Sequence, residues 1–464
     1  MTLRLGRSLL IAALILSAVL PGYSQTVEER NVRAAMTFLA GDALQGRGSG
    51  TQFERIAAEY VGSQFMQFGL EAAGDPGFDG APGYTQTVNI SRVTFSGAPF
   101  VKYGSTILTH GEEMVVLRTN VGTAGGPLLK LTGGAQKPAS GSVVLLRPSA
   151  GEDQRSLQQA VQRLTTDGAA VVLVEETTQW RSSWTNFTRR RIGYTHSATQ
   201  QKPAVTVIVS TTAAEEISKL ADGTRIDFGG PMAPFQTSQT WNAIGKITGT
   251  DPTLGSDVIV LSSHLDHLGV RENASGDDKI FNGADDDASG TVAVMELARV
   301  LAAGKRPKRT VYFVCYGSEE AGGFGSGHFV NTLPFPKERI VANLQWEMIG
   351  RPDPKVNPEE LWLTGFERSN LGPELAKRGA KLVQDPHPTE NFFQRSDNFT
   401  LARQGIIAHT VSSFGLHSDY HRASDELKTV DFGHMTKSIN SMIKPIDWLL
   451  NSDFRPAWVE GKRP

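Results

Sequence analysis

About sixty residues, 261–320, hold three clusters of side chains suited to binding metal: LSSHLDHLG, FNGADDDASG and VYFVCYGSEEAG. Two further pieces, QWEMIG around Glu347 and HSDYH ending at His421, extend the set. Imidazole nitrogens and carboxylate oxygens are the donors of a hydrolytic zinc centre, which also needs an open coordination position for water and a base beside that water. When two metals lie roughly 3.5–4 Å apart, one carboxylate can bridge them. The clusters supply two histidines and three carboxylates as ligands, with one carboxylate to spare. A carboxylate-rich set also offsets the repulsion between two dications.

The order of residues inside the clusters suggests roles. In His264-Leu265-Asp266, alternate residues of an extended segment face the same way. Asp266 can then accept a hydrogen bond from His264 and fix its tautomer. Glu319 and Glu320 are adjacent and cannot do the same job, so one binds metal while the other serves as general base.

The elements that must position these side chains alternate between strand and helix. Continuous apolar strands are expected over 257–263, 309–316 and 340–348, with an apolar helix over 290–303 and a C-terminal helix from Phe432 that Pro445 kinks. Strands without polar alternation argue for an α/β fold whose central sheet is mainly parallel, though mixed, and flanked by helices. Ligands of such sheets bind beyond the carboxyl ends of the strands, where His264, Glu319, Glu320 and Glu347 fall. Upstream, Thr26 with Glu29 and Thr51 with Glu54 read as capping boxes opening two helices, joined by the loop GDALQGRGSG. That loop is a tight connection rather than a phosphate cradle, because no strand precedes it. From about residue 96 to 234 the texture changes to short strands (142–147, 169–174, 204–209) and helices (156–165, 212–220), which reads as a small inserted α/β domain. The expected boundaries are 1–24 for a signal peptide, 25–95 and 235–455 for a discontinuous catalytic domain, 96–234 for the insertion, and 456–464 for a tail.

Composition narrows the class. The chain has 464 residues and a formal net charge of −2, so no basic field marks a nucleic-acid partner. Arg4 and Arg7 precede an apolar run over 8–20 that is too short to span a bilayer. With Gly22 and Ser24 behind it, this is a secretory signal cleaved after Ser24; the alternative is an uncleaved anchor. The mature chain is expected in the periplasm or outside the cell, with no stable membrane association. Cys315 is the only cysteine, which excludes an internal disulfide and suits a bacterial envelope. Lying in TVYFVCY, it reads as a core residue. The chain has no G-x-S-x-G elbow, H-E-x-x-H helix or Walker-type loop.

HLDHLG, GADDDASG, the EE pair, the acidic residue before MIG and the terminal DYH together resemble the co-catalytic zinc exopeptidase family. That family includes bacterial leucine aminopeptidases, glutamate carboxypeptidases and the non-catalytic transferrin receptor ectodomain. The resemblance covers residues 26–92 and 240–451, and the insertion looks like a protease-associated domain. It implies two zinc ions per chain: His264 and Glu347 on the first, Glu320 and His421 on the second, and Asp285 bridging both. It implies Glu319 as general base, Asp266 orienting His264, Tyr420 stabilising the oxyanion, and a cis peptide bond between Asp285 and Asp286. His417 competes with His421, and the family register favours His421. His267 lies close to the site but reads as structural, as do His110, His328 and His434; Arg395, Ser396 and Asp397 either shape the substrate pocket or cap a loop. The sequence departs from the family at Glu347, where aspartate is common, at Arg422-Ala423 after the last ligand, and at Asn398, where histidine is common. No expected ligand is lost.

The implied function is a secreted zinc-dependent exopeptidase acting on peptides. It is foremost an aminopeptidase, in which the two zinc ions activate a water and Glu319 serves as base. A carboxypeptidase or dipeptidase with the same metals, and a receptor-like binding protein on the same scaffold, are the alternatives.

Overall fold

A computed structural model describes residues 26–77, 80–133, 136–189, 192–197, 203–234 and 236–464. The expected signal peptide lies outside them. Among the described residues no helix is long and apolar enough to cross a membrane.

The larger sheet runs in the order Leu382–Gln384, Leu361–Leu363, Ala408–Ser412, Ile340–Trp346, Val258–His264, Thr310–Tyr316, Gln236–Ile247, Thr85–Thr94 and Gly193–Ser197, with Glu71–Ala72 pairing on Gln236–Ile247. Its middle is parallel: Val258–His264 lies between Thr310–Tyr316 and Ile340–Trp346, and Ala408–Ser412 follows in the same sense. Every residue of those four strands is buried. Val258–Leu261 and Val311–Tyr316 accordingly read as unbroken apolar runs rather than alternating ones. The expected mixed, mainly parallel sheet is therefore present.

Helices Glu29–Leu39, Gly290–Ala303 and Phe432–Asn451 share one apolar core with one face of this sheet. Helix Gly290–Ala303 is buried from Gly290 to Leu301, so it lacks the polar stripe of a surface helix. Phe324–Asn331 and Asn398–Ala402 cover the opposite face, where Phe329, Val330, Leu401 and Ala402 meet Tyr312 and Tyr316. Thr51 caps the helix Gln52–Gln67 as expected. The first capping box does not form. Helix Glu29–Leu39 starts from Glu28 without a side-chain cap, and the Val27 backbone is instead bound to Asn440 of the C-terminal helix.

The chain leaves the larger sheet along Thr85–Thr94, rejoins its edge at Gly193–Ser197, and returns along Gln236–Ile247, the antiparallel neighbour of Thr85–Thr94 on the other side. Between them lies an eight-stranded sheet with four parallel strands, Ala124–Thr132, Val143–Arg147, Val171–Glu175 and Val205–Val209. It has its own apolar clusters, one built around Val143, Leu145 and Val207 and the other around Val144, Leu146 and Ile208. Successive residues of one strand thus face opposite cores, as period-two alternation requires.

Candidate metal centre

The carboxyl ends of the parallel strands deliver the sequence-predicted side chains to one place. His264 ends the strand Val258–His264, Glu319 and Glu320 follow Thr310–Tyr316, Glu347 follows Ile340–Trp346, and His421 lies on the loop after Ala408–Ser412. The backbone between Ala284 and Ser289 turns sharply. Asp286 (φ −105°, ψ 96°) and Asp287 (φ −127°, ψ 40°) are non-helical, so the three consecutive aspartates point in three directions.

Here the structure corrects the sequence reading by one residue. Asp286, not Asp285, stands between the histidines: its Oδ1 lies 3.3 Å from His264 Nε2 and its Oδ2 lies 3.2 Å from His421 Nε2. The carboxylate of Asp285 is engaged elsewhere. Its Oδ1 accepts from the Gly350 amide at 2.7 Å and the Ser289 hydroxyl at 3.3 Å, and its Oδ2 is 2.9 Å from His417 Nε2. Asp287 ties the floor of the site together, accepting from the amides of His264, Gly290 and Met348. The cis peptide bond joins Asp286 to Asp287, one position later than expected. A run of identical side chains carries no mark of which one faces the site; the turn decides it.

Asp266 also differs in detail from its expected role. His264 Nδ1 is 3.1 Å from the Asp266 main-chain carbonyl and 3.7 Å from the carboxylate. The carbonyl therefore fixes the tautomer and leaves Nε2 facing Asp286. The carboxylate serves the glutamate pair instead: Oδ1 accepts from the Glu319 amide at 2.9 Å and Oδ2 from the Glu320 amide at 3.3 Å, with the Ser49 hydroxyl at 2.5 Å. Just before the pair, Ser318 adopts a positive φ of 56°. Buried Glu54 holds that residue, accepting from the Ser318 amide at 2.9 Å, the Thr240 hydroxyl at 2.6 Å and the Gly50 amide at 2.7 Å.

Glu320 Oε1 is 3.2 Å from His421 Nε2 and 2.9 Å from His267 Nδ1. His417 stays with Asp285 and Arg351, outside this group. Tyr420 stacks on His421 with ring centroids 3.9 Å apart, and its hydroxyl accepts from Arg395 at 3.3 Å. Several side chains that sequence reasoning did not assign support the centre. Asp425 accepts the amides of Asp285 and Asp286. Arg47, fully buried, donates to the carbonyls of Leu39, Leu265, Asn282 and Gly283. Its place in GDALQGRGSG was visible, but its partners are distant in sequence.

The electrostatics are those of crowded acids. Burial favours the neutral form of Asp286, but His267, His264 and His421 outweigh it and hold its carboxyl well below the usual range. Burial pushes Glu319 well above its usual range; His264 opposes that shift, while Glu347, Asp397 and Glu320 add to it. Burial, with Asp286 adding, raises Glu347 to about 7. Such a cluster gains from an added cation.

The donors fit a metal on a direct observation. Among the described residues, the buried atoms Glu320 Oε1, Glu347 Oε2 and both ring nitrogens of His267 lack a hydrogen-bond partner. A buried polar atom left unpaired costs about 1–3 kcal/mol, and a dication satisfies oxygen and imidazole donors together. Beside Glu347 opens a pocket walled by Met348, Trp362, Phe392, Phe414 and Tyr420, with Arg395 at its edge.

Comparison with known proteins agrees with this architecture. The whole structure resembles an aminopeptidase from Aneurinibacillus sp. strain AM-1 (TM-score 0.52, 16% identity, covering 92% of this chain and 95% of that one). It likewise resembles BSAP, a zinc aminopeptidase from Bacillus subtilis (TM-score 0.50, 14% identity, 95% and 98%). At such identities the likeness establishes the fold. Residues 242–444 match the model of peptidase family M28. Leupeptin-inactivating enzyme 1 of Streptomyces exfoliatus is 36% identical over 28% of each chain. A probable aminopeptidase of Saccharomyces cerevisiae is 34% identical over 42% of this chain and 54% of that protein. The chain thus matches between about a quarter and about half of the length of these relatives.

Proposed function

We propose that this protein is an exported zinc-dependent aminopeptidase that removes N-terminal residues from peptides at a two-metal centre. The observation that carries this reading is the placement of Asp286 between His264 and His421, with Glu320 3.2 Å from His421 and with buried, unpartnered oxygens on Glu320 and Glu347. In this assignment His264, Asp286 and Glu347 hold one zinc, and Asp286, Glu320 and His421 hold the other. Zinc held there would supply Lewis acidity for the scissile carbonyl and would lower the pKa of a bound water toward neutral.

The remaining chemistry belongs to the chain. Glu319 takes a proton from the attacking water and passes it to the leaving amine as the peptide C–N bond breaks. Its raised pKa suits both halves of that exchange. Asp266 keeps Glu319 and Glu320 in their separate orientations by binding both amides. Tyr420, stacked on His421, presents its hydroxyl beside Arg395 for the developing oxyanion. The aromatic wall of Trp362, Phe392 and Phe414 receives an apolar side chain. The inserted eight-stranded region is assigned as a protease-associated domain.

Arg395 favours a second reading, in which the same centre acts as a carboxypeptidase or dipeptidase. A guanidinium at the pocket edge is suited to a terminal carboxylate. One panel separates the two. Leucyl- and phenylalanyl-nitroanilide should be cleaved, cleavage should stop in the presence of a chelator and return with zinc, and N-terminally blocked peptides should be inert. Cleavage of blocked peptides from the carboxyl end would replace the first reading with the second. Activity untouched by complete metal removal would end both.

A further inference from the structure

His267 follows His264 by three residues and reads as structural from sequence alone. Its ring is fully buried and lies against Gly283, where an added Cβ would meet the ring carbons at 2.5 and 2.6 Å. The loop carrying it is pinned, since the His267 amide donates to the Arg47 carbonyl at 3.2 Å. Nδ1 points into the acidic cluster, 2.9 Å from Glu320 Oε1 and 3.8 Å from Asp286 Oδ2. Even so, among the described residues neither ring nitrogen has a hydrogen-bond partner, and neither has Glu320 Oε1. Close approach without hydrogen-bond direction is what two donor atoms show when both are aimed at a common third point.

His421 Nε2 approaches the same two oxygens, at 3.2 Å each, and the His267 and His421 rings meet edge to face at 5.7 Å. Donor atoms bound at about 2.0–2.2 Å around one zinc stand roughly 3–4 Å from one another. The atoms offered by His267, Asp286 and Glu320 all lie within 4.8 Å of one another.

We propose that His267, through Nδ1, is a fourth protein ligand of the metal position formed by Asp286, Glu320 and His421. This rests on the two-metal reading above and deepens it. With four protein donors that position is closed, as structural zinc sites are. The position of His264, Asp286 and Glu347, with three protein donors, keeps the open place for water and substrate. The two positions therefore play different parts. The His267 position fills first and holds the bridging carboxylate, and the other carries the exchangeable chemistry. The bland alternative is a histidine that only orients Glu320 by a hydrogen bond.

The test uses the purified full chain, stripped of metal and titrated with zinc against a competing chromogenic chelator. The wild type should bind two ions of unequal affinity. His267→Gln should weaken the tighter one by ~100-fold or more, beyond the effect typical of losing an orienting partner. A second measurement needs no variant: with cobalt in both positions, proton NMR should show hyperfine-shifted ring signals from three histidines, and from two in His267→Gln. Signals from only two histidines in the wild type, or unchanged zinc affinities in the variant, would overturn the assignment while leaving a two-metal centre in place. A wild-type chain that binds no metal overturns both the assignment and the reading beneath it.

Discussion

Two acidic runs border the candidate site, one at the start of the helix Gly290–Ala303 and one after the strand Thr310–Tyr316, and they divide their labour differently. In the first, Asp285, Asp286 and Asp287 splay around a sharp turn, so that Asp286 meets His264 and His421 while its neighbours bind backbone amides on either side. In the second, Glu319 and Glu320 sit on one turn whose two amides are clasped by a single carboxylate, Asp266. The aspartate run is anchored by its own outer members. The glutamate pair is anchored from outside, by Asp266 and Glu54. Short acidic side chains near backbone amides become structural staples; longer ones, with their amides already held, are free to reach into the site.

The largest expected effect tests the first half of that contrast. Asp286→Asn removes the charge that both histidines face, and the protein should lose bound zinc and fall to background peptidase activity. Asp285→Asn keeps an oxygen for the Gly350 amide and weakens the contacts with His417 and Arg351. It should keep its metal and lose about 10–100-fold in activity, the scale of a supporting partner. Metal content measured on both purified variants decides the matter. If Asp285→Asn were the one to lose zinc, the aspartate turn would have to be redrawn.

The next largest effect concerns the division within the glutamate pair. Glu319→Gln keeps size and the amide bond to Asp266 but cannot carry a proton. Turnover should drop by ~10³-fold, within the usual span for a general base, with zinc binding at wild-type strength. Glu320→Gln, the control, should lose metal as well. Equal metal loss in both would mean that the two glutamates share one role.

The pattern of what was legible follows the same physics. The strands at 257–263, 309–316 and 340–348 and the helix Gly290–Ala303 could be read because they are buried on all sides, and burial favours apolar residues on both faces; the strand Ala408–Ser412, equally buried but with the sequence AHTVS, was not read. The strand-end positions of His264, Glu319, Glu320 and Glu347 were also readable. Which aspartate faces the site was not, because that depends on the φ and ψ of a turn and not on side-chain type. Nor was the role of His267, since an imidazole in a loop carries no sign of its burial. The Thr51–Glu54 signal was half informative: Thr51 does cap the helix, but Glu54 turns away from the reciprocal bond to hold Ser318, far off in sequence. Thr26 and Glu29 formed the same pattern, but the helix Glu29–Leu39 starts from Glu28 with no side-chain cap, and the Val27 backbone is bound to Asn440.

Glu54 gives the smallest expected effect and the finest test of external anchoring. It is fully buried, and burial together with the nearby Asp266 charge raises its carboxyl well above the usual range, against three hydrogen bonds that favour the ion. Its two oxygens accept from Thr240, Ser318 and Gly50, so a glutamine there must aim its amide nitrogen at one of those donors. That mismatch should cost about 1–3 kcal/mol of stability, read as a lower denaturant midpoint for Glu54→Gln in zinc-loaded protein. Glu54 touches neither donors nor substrate; it holds Ser318 in its left-handed turn, one residue before the base. The variant should therefore bind zinc normally while kcat falls severalfold more than KM changes, because loosening that turn misaligns Glu319 without altering the pocket. A change confined to stability, with kcat intact, would show that Asp266 alone keeps the glutamates apart.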